Sequence, residues 1–142
     1  MRVAMAKSAL GLLLAAALWT AAHAAGPSEW EGITATAREL QTVVARNEIA
    51  WAMLWRRAGQ DAPVEFDPAA NIAVGVFLGA RPTGGFAAEI ASVEEQGDVL
   101  TVTWREIRPG RGAIVTQAFT SPWVIRLLPR TDRRVVFRQA ER

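Results

Sequence analysis

Apolar and polar residues alternate with a period of two over several short stretches of this chain. Over residues 72–78, Ile72, Val74, Val76 and Leu78 share one face, and over 86–93 Phe86, Ala88 and Ile90 do the same. Between them stands Arg81-Pro82-Thr83-Gly84-Gly85. Pro82 presets φ and has no N–H for a ladder. Gly84 and Gly85 supply positive φ without steric cost. The pattern predicts a β-hairpin centred on residues 81–86. Further strands are expected at 99–107, with Leu100, Val102 and Trp104 on one face, and at 113–119, 123–128 and 135–137. Turn-forming residues separate them at Glu94-Glu95-Gln96-Gly97-Asp98, at 108–112, at Thr120-Ser121-Pro122 and at 129–133. Residues 28–45 are weakly patterned. They read either as two strands, 33–37 and 40–45, around Arg38-Glu39, or as one irregular strand.

One stretch switches to a helical period. Trp51, Leu54, Trp55 and Ala58 fall on one face of a helix expected over residues 47–59. Asn47 is a good N-cap, and Glu48 suits the positive end of the dipole. Arg56 and Arg57 suit the negative end, and Gly59 can close the helix in the left-handed conformation. The Trp51/Trp55 pair is read as packing this helix on the sheet, with an aromatic ligand platform as the competing role. Residues 62–71, with Pro63 and Pro68, form a linker. Six or seven short strands and one helix predict a mostly β (α+β) fold: a small antiparallel β-sandwich or partly open barrel with one helix packed on it. The expected core is Trp51, Leu54, Trp55, Val74, Val76, Ile90, Val102, Trp104, Ile125 and Leu127.

Composition adds an address. Arg2 and Lys7 precede an unbroken apolar run at residues 9–18, and Ala22-His23-Ala24 offers small residues at −3 and −1 of a cut before Ala25. The run is shorter than the roughly 20 residues that span about 30 Å of hydrocarbon. Residues 1–24 are therefore expected to be a signal peptide, and 25–142 a single domain working in the periplasm or outside the cell. The chain has no cysteine, so neither a disulfide nor a lipid-bearing cysteine is available, and no stable membrane anchor is expected after the cut.

Removal of residues 1–24 also removes His23 and Lys7, the only histidine and the only lysine, and the chain has no tyrosine. A His general base, a Schiff-base lysine, a Ser–His or Cys–His pair and a His/Cys zinc site are thereby excluded. Only carboxylates remain for acid–base work. Glu65 and Asp67 are two apart, and the 94–98 loop lacks the spaced oxygen ligands of a calcium site. No enzyme activity, cofactor or metal is expected. The 14 acidic residues then balance the 14 remaining arginines, which gives no argument for nucleic acid. The acids concentrate before residue 105 and the arginines after it. Either Arg126, Arg130, Arg133, Arg134 and Arg138 form a basic patch for an acidic partner, or the two halves neutralise each other across one sheet; the second is favoured.

Several motifs now fall into a recognisable order. They are Trp51-x-x-Leu54-Trp55, Glu65-Phe66-Asp67, Gly79-Ala80-Arg81-Pro82-Thr83-Gly84-Gly85-Phe86, Arg108-Pro109-Gly110 and Thr120-Ser121-Pro122-Trp123. Together they resemble the C-terminal domain of PrcB-type protease-complex subunits, over residues 51–129. That family shows G-x-K-P-T-G-G-Y, an alternating strand, a P-G turn and T-x-P-Y. Here Arg81 stands for the lysine, and Phe86 and Trp123 for the tyrosines. The resemblance implies a non-catalytic subunit that associates with a secreted or surface protease and supports its assembly. Its partner-binding surface is expected at Arg81, Pro82, Thr83, Gly84, Gly85, Phe86, Arg108, Pro109 and Gly110, with Trp123 beside them. Loops 81–86, 108–112 and 120–123 are also similar to the three loops of chagasin-type cysteine-protease inhibitors, which gives an alternative function.

Overall fold

The computed structural model describes residues 28–141, so the expected signal peptide lies outside the described residues. Seven strands and one helix follow in the order β1 (Glu29–Gly32), β2 (Gln41–Ala45), α1 (Glu48–Ala58), β3 (Asn71–Phe77), β4 (Ala87–Gln96), β5 (Val99–Ile107), β6 (Trp123–Pro129) and β7 (Arg134–Gln139). They build two packed sheets, β1-β6-β3-β2 and β4-β5-β7, and no closed barrel. Every strand pair is antiparallel except β5–β7, which is parallel.

The helix forms where its sequence starts and stops it. The Asn47 side chain accepts the Ala50 N–H at 2.8 Å, and Gly59 closes the last turn at φ 77°. Trp51, Leu54, Trp55 and Ala58 are the buried face. That face lies on the first sheet and creates one apolar layer with Ala45, Ala73, Phe77, Trp123 and Ile125. A second layer fills the space between the sheets: Ile72, Val74 and Val76 meet Ala88, Ile90, Leu100, Val102 and Trp104. Of the expected core, Leu127 is the one residue only partly buried.

β3 is the middle of this arrangement. Its even positions face the second sheet and its odd positions face the helix, so the strand is buried on both sides. Gly75 is one of the odd positions. A Cβ there would sit 2.7 Å from Leu54 Cδ1, so the bare backbone is what lets the helix approach.

Three expectations from the sequence are corrected. β3 and β4 do not form a hairpin. Both edges of β3 are taken, by β2 and β6, and residues 78–86 instead cross from one sheet to the other. Residues 113–119 are an irregular exposed loop, not a strand, because their backbone is held by the crossover and joins no ladder. Residues 33–37 are likewise irregular. They touch the sheet through a single bridge, Thr34 to Ser121, while the strand before them, β1, had not been anticipated.

Part of the uneven charge is neutralised between halves. Glu29 pairs with Arg126, Glu89 with Arg105, and Glu95 with Arg133 at 3.2 Å. The tryptophans of the first layer pack edge to face, with Trp30–Trp55, Trp51–Trp55 and Trp55–Trp123 centroids 5.4–5.5 Å apart. Trp51 and Trp55 are 3% and 1% exposed and serve packing, not a ligand platform.

Candidate functional site: a clamped loop at one end of the sandwich

The crossover 78–86 is short of regular structure but rich in contacts. Gly79, at φ 85°, would bring a Cβ within 2.7 Å of the Arg38 carbonyl oxygen, so only glycine lets residues 33–40 close over this point. The Ala80 N–H then donates to that same oxygen at 3.1 Å. Arg81 exchanges two backbone hydrogen bonds with Thr120, at 2.7 and 3.0 Å. Its guanidinium forms a fork on Glu106, Nε to Oε1 at 2.9 Å and Nη2 to Oε2 at 3.2 Å, and Nη1 donates to the Leu78 and Ala80 carbonyls. Side-chain exposures of 24% for Arg81 and 12% for Glu106 make this a half-buried strut.

The two glycines after it seat the next loop. The Gly84 N–H donates to the Thr116 carbonyl at 2.8 Å, and a Cβ on Gly84 would lie 3.3 Å from Thr116. Gly85 sits at φ 86°, where a Cβ would come within 2.7 Å of Pro109 and 2.8 Å of Val115. The Thr83 carbonyl accepts the Thr120 hydroxyl at 2.8 Å. Residues 81–85 therefore grip the loop 108–120 near both of its ends and in its middle.

What the grip presents is apolar. Ile114 is fully exposed at 103% and Phe119 is 85% exposed. At the tip, a Cβ on Gly110 or Gly112 would meet nothing within 4 Å, and Arg111 between them is exposed. Beside Phe119 lies a groove of about 670 Å³ lined by Ile33, Thr34, Thr36, Arg38, Ala80 and Ser121 among others. Its hydroxyls are turned inward. Thr34 donates to the Ala58 carbonyl, Thr36 to that of Arg57 and Ser121 to that of Ala37, at 3.0, 3.3 and 2.8 Å. With these hydroxyls engaged, the surface lining the groove is mainly apolar despite its polar residue types.

The residues expected at a contact surface are thus partly gathered and partly separated. Pro82, Gly85 and Gly110 are on the surface, and Arg108 is exposed with its guanidinium 3.7 Å from Glu106. Arg81, Thr83, Gly84 and Phe86 are buried or half-buried, and Gly85 and Pro109 are in mutual contact. Trp123 is 1% exposed and packs on Trp55, and Thr120, Ser121 and Pro122 are buried with it. The third loop of the inhibitor-like pattern is therefore inside the core. Ile33, Arg38, Ile114 and Phe119 were not singled out from the sequence. Their signal was faint: in 113–119, strict alternation would put Gln117 on one face with Ala113, Val115 and Phe119, a poor apolar stripe.

Asp67 is used in a turn, its side chain accepting the Ala69 N–H at 2.9 Å. Among the described residues, no three His, Cys, Asp or Glu side chains come together as a metal site. No helix among them is long and apolar enough to cross a membrane.

A family model described as PrcB C-terminal matches residues 72–126, from the second residue of β3 into β6. The resemblance read from the motifs is borne out over that span, which contains the crossover and the whole clamped loop. No curated protein and no solved structure gives a significant match.

Proposed function

We propose that this chain is an exported, non-catalytic subunit that docks on a protease and supports its assembly, with the loop 108–119 and the adjoining groove as the docking surface. The observation that carries the reading is the exposure of Ile114 and Phe119 on a loop held by backbone hydrogen bonds and glycine contacts. Large apolar side chains on a rigid support lose little freedom when they enter a partner's pockets. Association with a protease complex is what the PrcB C-terminal match suggests. Export follows from the pattern of residues 1–24, with cleavage after Ala24.

The test is affinity isolation of tagged protein from its own periplasmic and secreted fractions, alongside the Ile114→Asp/Phe119→Asp variant. Recovery of a protease by the parent chain, and its loss in a variant with unchanged melting temperature, is the expected result. Equal recovery by both would remove the loop from the interface. Mass measurement of the exported protein checks the cut before Ala25. Assaying the recovered protease with and without the chain separates helper from inhibitor. Burial of residues 120–123 favours the helper.

A further inference from the structure

Sheets end in edges, and proteins usually blunt them. Three of the four edges here are blunted. β1 has 4 residues and β2 has 5, and β2 leads at once into the α1 cap. β4 is long, but it carries a bulge between Ile90 and Ser92, and Arg126 Nη2 donates to the Ile90 carbonyl at 3.1 Å. β7 is different. It is six residues without glycine, proline or bulge, and it lies at the end of its sheet. The Arg134 N–H donates to the Asp98 carbonyl at 2.9 Å and the Ala140 N–H to that of Trp104 at 2.8 Å, so the strand is pinned at both ends. By the alternation of a parallel ladder, the amides of Val135, Phe137 and Gln139 point to the open side.

The side chains define what could pair there. Val135 and Phe137 are half-buried on the inner face against the inter-sheet core. Arg134, Val136 and Arg138 take the outer face, and both arginines are exposed. Neighbouring charges are engaged elsewhere: Asp132 pairs with Arg130 and Glu95 with Arg133, while Arg134 and Arg138 form no ion pair among the described residues. Two copies of β7 laid edge to edge in antiparallel fashion would set arginine against arginine, which is unfavourable for directly opposed like charges.

From this juxtaposition we infer that β7 is a strand-addition site for an acidic, extended segment of another polypeptide. The segment places carboxylates against Arg134 and Arg138 on the outer face and apolar side chains over Val135 and Phe137 on the inner one. Its backbone completes the open hydrogen bonds of β7. This site is separate from the loop 108–119 and does not depend on its role.

The probe is an end-blocked heptapeptide of alternating Glu and Val, compared with its Lys/Val counterpart, on protein expressed from the full sequence. Fluorescence anisotropy should show the acidic peptide binding at least about tenfold more tightly than the basic one. The Arg134→Glu/Arg138→Glu variant should reverse that order. Amide exchange in the parent protein should slow at Val135, Phe137 and Gln139, a readout that does not rely on any variant folding. Equal binding of the two peptides, absence of binding at about millimolar peptide, or protection confined to residues 108–119 or to β4 would each overturn the assignment.

Discussion

The layer between α1 and the first sheet and the clamped loop at the end of the sandwich are stabilised by opposite means. The layer is almost wholly apolar: Trp51, Leu54, Trp55, Phe77, Trp123 and Ile125 are buried, and the indole N–H groups of Trp55 and Trp123 have no hydrogen-bond acceptor. Their rings pack edge to face within the layer, and the apolar burial outweighs the missing bonds. The loop end reverses this. Its backbone amides, hydroxyls and one guanidinium are turned inward, and its largest apolar side chains, Ile114 and Phe119, are left outside. Apolar burial makes the first region a foundation. Polar clamping holds the second in place and leaves its apolar groups exposed.

The largest effect should come from the layer. Trp55→Ala removes a ring that is 1% exposed and touches Trp30, Trp51 and Trp123. It should cost about 3–5 kcal/mol in chemical denaturation, by lost burial plus the cavity left behind. A loss below about 1 kcal/mol would mean that the layer is far less cooperative than its packing implies.

A change in the clamp should be smaller and local. Gly85→Val forces a β-branched residue into φ 86° and drives its Cβ into Pro109 and Val115. Strain of this kind costs about 1–3 kcal/mol. Relief is available by releasing the loop, so tryptic cleavage after Arg111 should accelerate while tryptophan fluorescence keeps its native position. Unaltered cleavage would show that the glycines do not hold the loop. Loss of the native fluorescence would show that the two regions are not separable.

The same contrast explains how much could be read in advance. Helix α1 was legible to its caps, because Asn47, Glu48, Arg56, Arg57 and Gly59 act on their own immediate backbone. β5 was legible because one face meets the core and its first six residues alternate cleanly, and β6 because it is a nearly continuous apolar run, buried on both faces. The crossover was not, since its strand neighbours depend on which edges are free. β6, some fifty residues further on, occupies the edge that a hairpin would have given to β4. A clue lay in β3 itself: Ala73, Gly75 and Phe77 fill the positions that a one-sided hairpin strand would leave polar. The loop 108–119 escaped because Ile114, Val115 and Phe119 are strand-forming types, whereas the Thr116 carbonyl there accepts from the distant Gly84 N–H and Val115 packs close to Gly85.

An exposed ion pair gives the lower end of the scale against which both regions can be measured. Glu89 and Arg105 face each other across β4 and β5 on the outer side of the second sheet, with side chains 40% and 54% exposed. The hydrogen bond from Arg105 holds the Glu89 carboxyl below its ordinary range, against an opposing effect of burial. A carboxyl depressed in the folded state adds stability above its unfolded pKa, about 4.3 for glutamate, and that contribution disappears as pH falls through the lower folded value. Solvent screening shrinks it further. Glu89→Gln should therefore lower the melting temperature at neutral pH by little more than the reproducibility of the measurement, and the difference should vanish in acid below the folded pKa. A deficit as large as that of Gly85→Val would mean that the second sheet depends on its surface charges, and the ranking of buried layer, polar clamp and solvated face would have to be redrawn.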